Sequence, residues 1–260
     1  MKRLLCVSLR PGCGSTTLTA NLAQALCSMN KNILSIDIQN DNLLGLHHGI
    51  PSDISDGWAL NLLTQRAWNE AGFVTPQKLE ILPFGQLTPE QKILFNTNRT
   101  DYINTLSNSL FHIETETQES WQIFHSLFVD IDEPSLENFI DSMDAIFVVL
   151  TPDALSYSVL HTWLLHSTMA QNLINNKLRF VVNNFQPEVE VSCDFLHILQ
   201  HELKHLLSPV IVHRDMAILD SVANLTTVQN KAPLSQASKD FHTLSVWTIS
   251  YMSKLEMQEF

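Results

Sequence analysis

The chain has 260 residues, 45% hydrophobic and 16% charged, a composition that supports a packed core and excludes an intrinsically disordered protein. The formal net charge of −12, with 15 Lys and Arg in all, argues against tracking a nucleic-acid backbone, which needs clustered cations. Cys6, Cys13, Cys27 and Cys193 form no CxxC pair, so a cysteine-built zinc or iron–sulfur centre is disfavoured and reduced thiols in a cytoplasmic protein are expected.

Met1-Lys2-Arg3 and the short apolar run after it are too brief for a secretion signal and read as a buried first strand over residues 4–9. A helix over residues 15–30 follows, then a strand over 32–37, "NILSID", ending in an acid. A helix over 58–65 and a strand over 79–83 come next, then a helix over 89–111 that Asn96–Thr100 can break. The run "FHSLFVD", 124–130, reads as a second strand ending in an acid. Helices over 135–142, 153–172, 193–207 and 234–254 alternate with strands over 144–151, 178–183 and 209–212. Pro134, Pro152 and Pro233 stand in or near first helical turns. Strand–helix alternation without repeats or linkers predicts a single domain over residues 1–260: an α/β fold with a mostly parallel, doubly wound sheet. Ligands of such sheets bind at the carboxyl ends of strands, where Arg10, Asp37, Asp130, Thr151 and Asn183 are expected. No stretch reaches the ~20 apolar residues that span a bilayer.

The first such end carries "RPGCGSTT", Arg10 to Thr17. Gly12, Gly14, Ser15, Thr16 and Thr17 are small enough for backbone N–H groups to converge on an anion ahead of a helix N-terminus. The regular phosphate-loop pattern fails at Leu9 and at Ser15, which stands where the lysine belongs. A plain strand-to-helix turn would look the same over these residues, and Asp37 or Asp130 alone could be helix caps. The two acids together with the loop favour a nucleotide site with Mg²⁺.

"LRPGCGSTTLTANLAQAL", "NILSIDIQNDNLL" and "FVVLTPDALSYSVLHTWL" resemble the deviant Walker loop and following segments of the MinD/ParA P-loop ATPases. "DNLLGL", "GWALNLLTQRAWNEAGF", "LEILPFGQLTPEQ" and "VIVHRDMAILDSVA" are similar to the BcsQ branch found in bacterial cellulose-synthesis operons. The resemblance runs from Leu4 to about Trp247 and implies a three-layer P-loop NTPase fold with ATP and Mg²⁺ as ligands. It further implies that Arg10 replaces the signature lysine that reaches a partner's nucleotide. Gly12, Cys13, Gly14, Ser15, Thr16 and Thr17 would form the phosphate loop, with Thr16, Asp37 and Asp130 at the metal. Asp37, Gln39 and Asp130 would be the catalytic positions, Gln39 standing where the family has its water-positioning acid. Asn183 would read the adenine, with Arg214 and Asp215 near the base.

With the lysine and the second acid gone, the expected protein is an ATP-binding sandwich homodimer with slow or absent hydrolysis. By the resemblance it is a scaffold or regulator of cellulose synthesis and secretion. Its expected partners are the inner-membrane synthase and small Bcs accessory proteins, which would bring a cytoplasmic chain to the inner membrane or cell pole. A MinD/ParA-type positioning ATPase with active turnover, or a binding module that has lost nucleotide, are the alternatives. "HELKH", 201–205, matches a zinc-protease pattern but lacks its continuation and reads as a helix face. The acidic tail "KLEMQEF" suits packing on the sheet better than binding anionic lipid.

Overall fold

The computed structural model describes residues 1–113, 120–174 and 177–258. In chain order the elements are β1 (Lys2–Ser8), α1 (Ser15–Ser28), β2 (Asn32–Asp37), α2 (Trp58–Leu63), β3 (Phe73–Val74) and β4 (Glu80–Leu82). Then come α3 (Pro89–Thr97), α4 (Arg99–Phe111), β5 (Ser120–Ser126), α5 (Glu137–Asp141), β6 (Ala145–Leu150), α6 (Ala154–His166) and α7 (Thr168–Ile174). The chain closes with β7 (Leu178–Val182), α8 (Glu190–Leu203), α9 (Met216–Ala223), α10 (Val228–Lys231) and α11 (Gln236–Gln258).

The seven strands form one sheet in the order β3-β4-β2-β5-β1-β6-β7, parallel except for the edge strand β3. Strands covered on both faces read as unbroken apolar runs, as "AIFVVL" of β6 does. Successive residues still point to opposite faces. Leu5, Val7, Ile146, Val148 and Leu150 pack into one layer with residues of α2 to α8. Leu4, Cys6, Phe147 and Val149 pack into the other, against Leu18, Leu22 and Leu26 of α1 and Phe241, Leu244 and Met252 of α11. The architecture is the expected three-layer α/β fold, and α11 lies on the sheet through Phe241, Leu244 and Met252; the last two residues of the acidic tail, 259–260, lie outside the described residues. No helix among the described residues is long and apolar enough to cross a membrane.

Several boundaries differ from expectation. β5 spans Ser120–Ser126, and Trp121 to Ser126 pair in register with Lys2 to Val7 of β1, so the strand expected over 124–130 ends at Ser126. Asp130 instead lies on a short 3-10 turn, Phe128–Asp132. The helix expected over 153–172 is two helices, because Ser167 is extended and its hydroxyl accepts from the Ala170 amide, capping α7. Asn98 divides α3 from α4 within the stretch where a break was foreseen. No strand forms over 209–212; single bridges join Leu207 to Phe180 and His213 to Phe185 instead. β3, α9 and α10 were not foreseen.

α8 ends at Leu203, and Lys204 has φ +50°, so the zinc-like HELKH pattern is split across a helix end. Glu202 accepts a hydrogen bond from the Tyr157 hydroxyl at 2.8 Å. Among the described residues no three His, Cys, Asp or Glu side chains gather as a metal group.

Candidate nucleotide site

β1 delivers the loop to the carboxyl edge of the sheet, and α1 begins at Ser15. Gly12 and Gly14 have φ of +88° and +87°, a region that side chains disfavour. A Cβ on Gly14 would lie 2.5 Å from Asn183 Nδ2, which donates to the Cys13 carbonyl at 2.8 Å. The loop is thus tied to the end of β7. Changing Gly14 to Ala combines left-handed strain with displacement of Asn183. It should cost about 1–3 kcal/mol of stability and weaken nucleotide retention, read by thermal melting and ATP titration.

Pro11 has no amide to offer, the Cys13 amide donates to Arg10 O, and the Ser15 amide donates to Ser8 Oγ at 3.0 Å. The amides of Gly12, Gly14, Thr16 and Thr17 have no acceptor among the described residues, and the last two open the first turn of α1. They border two cavities. One, of about 660 Å³, is lined by Arg10, Gly12, Gly14, Ser15, Thr16 and Thr17 along with Gln39, Asp41 and His47. The other, of about 410 Å³, shares Gly12, Gly14 and Thr17 and adds Asn183, Arg214, Asp215 and Leu219. Asn183 Oδ1 is buried and has no partner among the described residues, leaving one acceptor for a ligand. A third hollow, near Phe128, Trp163 and His166, holds none of the expected site residues.

Beneath the first cavity is a network that the sequence reading missed. Parallel register sets His125 of β5 opposite Asp37 of β2. His125 Nδ1 lies 3.0 Å from Asp37 Oδ1, and its Nε2 lies 3.0 Å from Ser15 Oγ, 3.2 Å from Thr16 Oγ1 and 3.1 Å from Gln39 Nε2. A carboxylate accepts only, so Nδ1 carries a proton, and in the neutral ring the single lone pair of Nε2 is shared among the Ser15 and Thr16 hydroxyls and the Gln39 amide. Asp37 also accepts from the amides of Gln39 and Leu44, so both its oxygens are engaged. A polar His and Ser inside a buried run, "QIFHS", was the available signal.

The other expected residues are distributed as follows. Cys13 is fully buried, its Sγ 3.8 Å from Thr151 Oγ1 and Ser156 Oγ. Arg10 turns onto its own chain: its guanidinium donates to Thr151 at 3.0 Å, Ser156 at 3.1 Å and Asp153 at 2.6 Å. Burial pushes the Asp153 carboxyl up. Hydrogen bonds from Thr151 and Ser156 and the charge of Arg10 outweigh that and hold it below its ordinary value. Arg214 donates to Gln186 at 3.0 Å, while Asp215 caps α9 through Ala217 and α11 through Ala237, occupying both carboxylate oxygens.

Asp130 is the departure with the largest consequence. It is 1% exposed, paired by both oxygens with Arg99, and it accepts from Ser126 Oγ and the Leu127 amide. Neither Asp37 nor Asp130 lines the cavity; its single carboxylate is Asp41, exposed at the rim. Mg²⁺ favours near-octahedral oxygen ligands, and the expected set presents one protein oxygen, the neutral Thr16 hydroxyl. The residues present do not fit the metal site that the resemblance implies.

Comparison with known proteins bears on the family and the fold. The model of the family described as cellulose biosynthesis protein BcsQ matches residues 1–249. The cellulose biosynthesis protein BcsQ of Salmonella typhimurium is 26% identical over 246 residues, covering 92% of this chain and 91% of that protein. Among solved structures, the cell division ATPase MinD of Pyrococcus furiosus superposes with TM-score 0.71 at 16% identity, over 96% of this chain and 99% of that one. The septum site-determining protein MinD of Pyrococcus horikoshii, complexed with Mg-ADP, gives 0.68 at 17% identity, over 94% and 95%. At these identities the structural likeness establishes the P-loop fold, and the match along nearly the whole sequence establishes the family: the chain belongs to the BcsQ family of cellulose biosynthesis proteins.

Proposed function

We propose that this chain is an ATP-binding regulator of cellulose synthesis that holds nucleotide and cleaves it slowly or not at all. The observation that carries the reading is the row of unpartnered amides at the start of α1, set between a cavity for phosphates and a cleft for a base. A helix N-terminus and converging amides favour an anion without a lysine. Asn183 would offer Oδ1 to the 6-amino group of adenine. Slow cleavage follows from what surrounds the phosphate end. Ser15 supplies no charge, and Gln39 is bonded to His125 and to the Ser126 carbonyl at 2.8 Å. Losing one stabilising donor of a transferred group costs about 3 kcal/mol, or roughly a hundredfold in rate.

ATP bound between two copies would make a dimer that docks the inner-membrane synthase and its small accessory proteins. Arg10 must leave Asp153 before it can reach a partner's nucleotide. A module that has lost nucleotide is the second reading, favoured by the hydroxyls of Ser15 and Thr16 already bonding to His125.

Native mass spectrometry of protein purified without added nucleotide, followed by ATP titration and phosphate-release assays, separates these readings. We expect one ATP per chain, a dimer in its presence, and release well below about one phosphate per second, a typical lower bound for working enzymes. Turnover of several per second would instead support a MinD/ParA-type positioning ATPase. A monomer indifferent to millimolar ATP would support the second reading.

A further inference from the structure

We infer that this chain binds its nucleotide without a divalent cation, because His125 stands between the acid of β2 and the loop hydroxyls. The inference rests on the nucleotide reading above. In the expected arrangement a carboxylate at a strand end reaches the metal or its waters beside the Thr16 hydroxyl. Here the imidazole fills that interval, with Asp37 on Nδ1 and Ser15, Thr16 and Gln39 on Nε2. Asp37 is 0% exposed and its charge is taken up by His125 and two backbone amides. Asp130 is held by Arg99, Ser126 and Leu127.

A cation beside Thr16 would therefore meet one neutral hydroxyl, and the one carboxylate residue lining the cavity is the exposed Asp41. Mg²⁺ is usually held by one or two carboxylates together with the nucleotide's phosphates; here the protein adds to the phosphates only one neutral hydroxyl, which gives the cation little hold on the chain. The attraction for the nucleotide then comes from groups that need no metal: the open amides of Gly12, Gly14, Thr16 and Thr17 and the positive end of α1. His125 is a positioning residue in this scheme. It holds the two hydroxyls and Gln39 beneath the phosphates and does not itself line the cavity.

The test is the dissociation constant of a fluorescent ATP analogue for the full chain, measured in excess Mg²⁺ and again in excess EDTA. The expected result is a difference below about threefold. Weakening by about tenfold or more in EDTA overturns the inference and leaves the nucleotide reading standing. Absence of binding in both conditions overturns both. His125→Asp places a carboxylate near the end of β5 and shortens the side chain, making room for an ion. In that variant EDTA should weaken binding by about tenfold or more, and Mn²⁺ added with ATP should give a protein-bound electron paramagnetic resonance signal absent from the parent. A Mn²⁺ signal of equal strength in the unaltered chain overturns the inference. Should His125→Asp not fold, the comparison on the unaltered chain decides alone.

Discussion

Replacing Asp130 with Ala should destabilise the protein by about 3–5 kcal/mol and leave the affinity of the surviving folded protein for ATP within about threefold of the original. The reason is the surroundings of the carboxylate. Asp130 is 1% exposed and faces Arg99, whose side chain is 17% exposed. Removing the acid strands a guanidinium in a mostly dry site and leaves the Ser126 hydroxyl and Leu127 amide without their acceptor. Breaking one side of a buried pair is far costlier than the net worth of the pair. The double change of Arg99 and Asp130 to Leu should therefore cost less than Asp130→Ala alone, which chemical denaturation would show as a negative coupling. A metal-holding or catalytic Asp130 predicts the reverse pattern: near-normal stability with nucleotide binding or cleavage impaired.

Stability should also fall steeply as the medium is acidified below pH 6.5, because buried His47 and half-buried His48 keep ring nitrogens away from water in neutral form. Burial lowers His47 to about 4, helped by the neighbouring His125 and opposed by Asp37. Burial lowers His48 to about 3, with His47 adding to the effect. Both ring nitrogens of His48 and Nδ1 of His47 are buried without a partner among the described residues. Well above pH 6.5 both rings are neutral whether the chain is folded or not, and they contribute almost nothing to the pH dependence. Below 6.5 the unfolded chain takes up protons that the folded chain refuses, and the loss grows until pH passes the folded values. At pH 5 each ring accounts for about 2 kcal/mol, or about 4 kcal/mol together. Urea unfolding at pH 7.5, 6 and 5 measures this. His48→Leu should remove about half of the slope, since it abolishes the less readily protonated of the two sites. A flat profile between pH 7.5 and 5 in the unaltered chain would refute the assignment.

For a BcsQ family member, these two predictions bear on what the acids and histidines around the loop do. Asp130 is a structural tie for the turn that forms one wall of the 660 Å³ cavity at the loop. His47 lines the same cavity as a buried neutral ring. Neither adds a metal ligand.

What the sequence determined by itself is the class of the fold and the position of the loop. Apolar runs such as Leu4–Val7 and Ala145–Leu150 can be covered only between two helical layers. Gly12 and Gly14 ahead of a helix permit the left-handed turn that joins β1 to α1. Those properties are local, carried by neighbours in the chain. The ends of elements were less legible. Asp130 follows an apolar run and looks like a strand terminus, but only pairing with β1 and β2 shows that β5 stops at Ser126.

The chemistry beneath the loop was decided by tertiary structure alone. His125 meets Asp37, Ser15, Thr16 and Gln39 because parallel strands bring residues 88 positions apart, as His125 and Asp37 are, into one register. Arg99 meets Asp130, and Arg10 meets Asp153, across 31 and 143 positions respectively. Side chains so far apart in sequence carry no shared local signal. Whether an acid faces a metal, caps a helix or holds an arginine depends on which group the fold sets within 3 Å of it.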